Sequence, residues 1–123
     1  MSKILGLGGV FFKTTDVEAS KNWYTQKLGI PLESWGGMFD LKPQFNEYQV
    51  FSIVGEKSEY LNQSQSFMIN FVVEDLDAFC EILKSKDVPI LKQEASDFGK
   101  FAWIEDLDKN KIELWEPLKS NKD

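Results

Sequence analysis

The sequence predicts an α+β fold assembled from two tandem βαβββ modules. Three observations carry that expectation: an internal repeat, a cappable helix in each half, and strand-like text after each helix. The stretch GVFFKTTDVEA, residues 9–19, resembles MINFVVEDLDA, residues 68–78, at an offset of 59. Phe12 falls on Phe71, Asp16 on Asp75, Val17 on Leu76 and Ala19 on Ala78. Each stretch reads as a strand running into a helix.

In the first half the helix start has two competing caps. Thr15 and Glu18 have capping-box spacing, and Asp16 is a single-residue N-cap. Gly29 closes the helix as a left-handed residue, and Pro31 follows it. Strand-like text then covers residues 33–35, 37–41 and 47–54. In the second half Asp75 caps, and Leu76, Phe79, Cys80 and Leu83 make a one-sided helix stripe. Pro89 ends that connection, and strand text covers 90–93, 100–105 and 111–116. The polar run GEKSEYLNQSQS, residues 55–66, has linker composition. The expected organisation is one domain over 1–123, with module one at 1–55, linker 56–66, module two 67–118 and a tail 119–123. A half of about 60 residues buries its faces poorly alone, so the two halves are expected to share a core.

Composition excludes several chemistries. The chain has 123 residues, a net charge of −6 and fourteen basic residues, all Lys. That balance argues against nucleic acid, whose phosphates need a basic face. The absence of His removes Ser–His and Cys–His nucleophile pairs and the commonest transition-metal ligand. No apolar run approaches the ~20 residues of a membrane span. The N-terminus does not read as a secretory signal, so a cytoplasmic location is expected. The lone Cys80 reads as a small buried hydrophobe.

Three stretches carry a family resemblance. TTDVEASKNWYTQKLGIPL holds the pattern D-x-x-x-S-x-x-W-Y-x-x-x-L-G at Asp16, Ser20, Trp23, Tyr24, Leu28 and Gly29. FVVEDLDAF opens the second module, and FAWIEDLDKNKIELWEP closes it, with Leu107 and Lys109 where the pattern has Pro and Gly. Together they resemble the vicinal-oxygen-chelate superfamily of glyoxalases, bleomycin-resistance proteins and extradiol dioxygenases. The resemblance implies one curved mixed sheet around a ligand cavity. Some relatives complete that cavity across a dimer, so a homodimer is an expectation here.

Metalloenzymes of that family hold a metal from the first and last strand of each module. Carried onto this chain, those positions are Gly9, Met68, Glu113 and either Gln49 or Phe51. Only Glu113 is a strong ligand, so no metal and no cofactor are expected. Glu113 is the candidate catalytic residue: a carboxylate that accepts a ligand's hydrogen bond or acts as a base. The plain alternative is a solvated or salt-bridged carboxylate. Asn70 shares a strand face with Met68 and offers both donor and acceptor; a buried Asn satisfied by backbone is equally consistent. Phe11, Trp35, Gln49, Phe51, Met68, Asn70, Trp103 and Trp115 are the expected ligand-binding residues. Most aromatics in such a chain are core, and Phe11 and Trp115 are the better cavity candidates by strand parity. The run EDLDKNK reads as a solvated hairpin tip, and Phe98–Gly99 and Gly36–Gly37 as flexible rims.

Three functions fit: a metal-free binder of a small apolar or aromatic molecule, a glyoxalase-like lyase or isomerase using Glu113 as base with or without a weakly held divalent ion, and a subunit or regulatory module whose cavity is vestigial.

Overall fold

A computed structural model describes residues 2, 9–40 and 49–118. The element order is α1 (Val17–Leu28), β1 (Ile69–Val72), α2 (Leu76–Ser85), β2 (Lys92–Ser96), β3 (Gly99–Glu105) and β4 (Lys111–Pro117). The fold is α+β. The strands form one open sheet in the order β1-β4-β3-β2, with β1 parallel to β4 and the other pairs antiparallel.

Both helices start as their sequences dictate. Asp16 and Asp75 sit at the N-caps in extended backbone, and each carboxylate accepts a hydrogen bond from the backbone N–H three residues on, at 3.1 Å. Asp16, not the Thr15–Glu18 pair, therefore caps α1. The backbone N–H of Leu76 is met by the Glu116 carboxylate at 2.8 Å, which ties the start of α2 to β4. Gly29 caps the end of α1 at φ 73°; after α2, whose C-cap is Lys86, Asp87 takes φ 63°. Left-handed backbone suits Gly, and Asp tolerates it better than most residues.

The core lies between the helices and one face of the sheet. Leu76, Cys80 and Leu83 from α2 and Tyr24 and Leu28 from α1 pack on Ala102, Ile104, Ile112 and Leu114. Period two along β3 and β4 puts Ala102, Ile104, Ile112 and Leu114 on that face and turns Phe101, Trp103, Glu113 and Trp115 to the other. Gly99 opens β3 at φ 123°, where a Cβ would collide with the Glu116 carbonyl oxygen. Glycine there is a condition of β3–β4 packing, so the expected Phe98–Gly99 rim is instead a tight turn with Gly99 buried.

Three expectations need correction. No strand forms at 9–13, 33–35, 37–40 or 49–54; residues 41 and 47–48 lie outside the described ones, as does the tail 119–123. Residues 33–36 instead close a tight turn through reciprocal hydrogen bonds between Glu33 and Gly36 of 2.7 and 3.3 Å. A strand needs a neighbouring ladder and a buried face. Phe51 and Ile53 are 80% and 89% exposed, so that segment has no buried face. β2 begins later than expected, after Leu91 has joined β3 by its N–H to the Trp103 carbonyl at 2.8 Å. Finally, EDLDKNK is not wholly solvated. Asp106 is buried because its carboxylate accepts from the Tyr24 hydroxyl at 2.7 Å, the Asp108 and Asn110 backbone, and the Asn110 amide. Lys109 takes φ 68° in this turn, so the backbone keeps a glycine-like conformation without glycine. Among the described residues, no helix is long and apolar enough to cross a membrane.

Candidate functional site

The sheet face opposite the helices gathers one residue per strand into a row. Register places Asn70 of β1 beside Glu113 of β4, Glu113 beside Trp103 of β3, and Trp103 beside Lys92 of β2. A second row runs Val72, Trp115, Phe101 and Glu94. The alternation that buries Leu114 against α2 obliges Glu113 to point the other way.

Glu113 is half-buried and held at both oxygens. The Asn70 amide donates to one at 2.6 Å, and the Trp103 indole N–H donates to the other at 3.1 Å. Two neutral donors thus orient the carboxylate in the plane of the row. Among the described residues no lysine pairs with it: Lys92 lies 3.6 Å from Glu94, and the Lys111 ammonium donates to the Glu59 carbonyl.

The aromatic side chains form the wall beside this carboxylate. Phe101 and Trp115 are stacked nearly parallel, 3° apart with centroids at 6.0 Å, and Phe101 and Trp103 are 14° apart at 6.0 Å. The Trp115 indole N–H donates to the Phe98 carbonyl at 2.9 Å. Trp103 and Trp115 are only 5% and 4% exposed. Part of the cover over Trp103 comes from the chain itself: the Tyr60 ring is 6.4 Å away, and the Lys92 ammonium sits 5.9 Å over the indole.

Tyr60 lies in the segment 55–66, which is tied down at the start of β4. The Gln65 side-chain amide accepts from the Lys111 N–H at 2.9 Å and donates to the Lys111 carbonyl at 2.8 Å, as a neighbouring strand residue would. Asn62 donates to Glu105 at 2.8 Å and to the Lys109 carbonyl at 2.6 Å.

The structure brings together Glu113, Asn70, Trp103 and Trp115, with the half-buried Met68 just ahead of β1. Trp35 and Phe51 are exposed, with no hydrogen bond or ring contact to that row among the described residues. Gln49 is exposed and outside any strand. Phe11 is 97% exposed and lines a different cleft of about 460 Å³, with Phe12, Tyr24, Phe67, Ile69 and Ile112. A Cβ built on Gly9 meets nothing within 4 Å. Sequence reasoning missed Tyr60, buried in polar linker text, and Lys92, whose place opposite Trp103 depends on the β2–β3 register.

The donor set does not fit a transition metal. Of the four positions that hold one in chelating relatives, Glu113 alone carries a strong ligand, and both its oxygens face N–H donors. Among the described residues, no three His, Cys, Asp or Glu side chains group so as to hold an ion.

The sequence model of the Glyoxalase/Bleomycin resistance protein/Dioxygenase superfamily matches residues 6–114. Comparison with curated proteins gives no match. Among solved structures, an antibiotic binding protein from Streptomyces sp. CB03234, TnmS3, is similar at TM-score 0.55 and 19% identity, over 85% of this chain and 88% of that one. An integron cassette protein from the mobile metagenome of V. cholerae is similar at TM-score 0.60 and 17% identity, over 93% and 96%. A lactoylglutathione lyase from Agrobacterium tumefaciens is similar at TM-score 0.51 and 17% identity, over 82% and 85%. At these identities the likeness is one of fold.

Proposed function

Because the chain belongs to the glyoxalase/bleomycin resistance protein/dioxygenase superfamily, we propose that it binds a small apolar or aromatic molecule against the Glu113 face of the sheet, without a metal. The observation that carries this reading is the Glu113 carboxylate, fixed by Asn70 and Trp103 at the foot of three nearly parallel aromatic rings. With the Tyr60 and Lys92 side chains displaced from Trp103, flat apolar surface supplies burial and one oriented acceptor supplies direction; few-point polar recognition in an aromatic setting is how small-molecule sites are built. An antibiotic binding protein of the same fold supports the reading by analogy.

Each Glu113 oxygen accepts one hydrogen bond from a side chain of the protein, which orients the carboxylate and leaves lone pairs for a ligand's donor. Among the described residues, the family's metal-dependent reactions have no group of strong ligands to run on.

A thermal-shift screen of the intact chain with planar aromatic compounds tests the proposal, since a ligand that binds only the folded state raises its melting temperature. Glu113→Gln keeps the shape and removes the charge. It is expected to weaken the best hit by roughly tenfold or more, the size of one charge-assisted hydrogen bond. An unchanged affinity for every hit would remove Glu113 from the site, and a screen with no hits would remove the function.

A further inference from the structure

We propose that the ligand is a planar cation, an aromatic ring system carrying a fixed positive charge or a protonated nitrogen; this deepens the binding reading above and rests on it. The argument begins with an imbalance. Glu113 is half-buried and charged, yet its described partners are a neutral amide and a neutral indole N–H. A carboxylate is acceptor-only with about four lone-pair sites, so roughly two remain for an incoming donor. A charge removed from bulk water is best balanced by an opposite charge. Of the described lysines on this sheet face, Lys92 lies beside Glu94 and Lys111 donates to the Glu59 carbonyl.

The rings point to the same chemistry. The face of an aromatic ring is electron-rich and attracts cations, Trp most strongly. Trp103 already shows this from within the chain, with the Lys92 ammonium 5.9 Å over its ring and the Tyr60 ring beside it. An ammonium and a flat ring are the two halves of a planar cation, and here two separate side chains supply them. Both are displaceable: the Lys92 side chain is 67% exposed, and Tyr60 is 53% exposed. A planar cation would move Tyr60 and Lys92 aside, stack on the row and place its charge against Glu113. The overall charge of −6, with no Arg or His, draws such ligands in and repels anions.

Three flat two-ring probes of matched size separate the possibilities: N-methylquinolinium as cation, quinoline as neutral ring at mildly alkaline pH, and naphthalenesulfonate as anion. Each is titrated calorimetrically into the intact wild-type chain and into Glu113→Gln. The cation is expected to bind roughly tenfold tighter than quinoline, with the anion weakest. In Glu113→Gln the cation falls to the affinity of quinoline, while quinoline itself changes by less than about twofold. Quinoline binding as tightly as the cation in the wild type overturns the cation inference and leaves the binding function standing. A cation preference that survives in Glu113→Gln overturns it too, since the charge would then be read elsewhere. Failure of all three probes overturns both. If the variant does not fold, the wild-type ranking decides alone.

Discussion

The two helices begin alike and end up doing different work. Asp16 and Asp75 cap them with the same φ of −140° and ψ values of 96° and 100°. Past the caps they part. α2 presents Leu76, Cys80 and Leu83 to the sheet, an apolar stripe whose one polarisable atom, the Cys80 sulfur, accepts from the Gln93 amide at 3.5 Å. α1 buries Ser20, Tyr24 and Leu28, and its hold on the sheet includes a polar tether from the Tyr24 hydroxyl to Asp106. The lesson is that a cap is written in four residues, whereas the face of a helix is settled by what lies beneath it. α2 lies over the middle of β3 and β4, where burial alone suffices. The tether from α1 runs to the β3–β4 turn, where a carboxylate must be satisfied.

If this contrast is right, the largest loss comes from the apolar helix. Leu83→Ala, at a fully buried position, is expected to destabilise by about 2–5 kcal/mol in urea unfolding, and Leu28→Ala in α1 by less. Next comes the tether. Tyr24→Phe deletes one of the Asp106 donors and is expected to lower stability by about 1–2 kcal/mol near neutral pH. Its pH dependence is more telling. Burial first, then the hydrogen bond and negative charge of Asp106, raise the Tyr24 hydroxyl above its ordinary value of 10.0. The folded state therefore holds that proton more tightly than the unfolded state does. The contribution is complete below 10.0 and fades as pH climbs beyond it, so the gap between wild type and Tyr24→Phe should narrow in alkali. The smallest effects are at the caps. Asp16→Ala and Asp75→Ala should each cost about 1 kcal/mol, with Asp75→Ala the milder because Glu116 still serves the Leu76 N–H. A larger loss for Asp75→Ala would break the equivalence of the two starts.

The same contrast explains what could be read in advance. The caps, Gly29, the α2 stripe and strands β3 and β4 are local patterns, and each stood plainly in the text. The parity of Ile112, Glu113 and Leu114 also gave away which way Glu113 points. The indole N–H of Trp103 on Glu113 was not legible, because it needs the β3–β4 register as well as the pattern of either strand. Asp106 was misread as solvated because its partner is 82 residues distant; the Asp106-to-Asn110 spacing, suited to a side chain bonding its own turn, was the available clue. The apolar text of residues 49–54 has the composition of a strand, but composition alone provides no neighbour to pair with.

The row from Asn70 to Lys92 takes one residue from each of four strands, so its integrity is a matter of alignment. Sliding β4 by a single residue would swing Glu113 under the helices and lift Leu114 into water, exchanging the two surfaces at a stroke. Selection for a properly filled interior therefore polices the recognition face at the same time: a mis-threaded molecule with a plausible site but a faulty interior cannot persist, because one registration error spoils both.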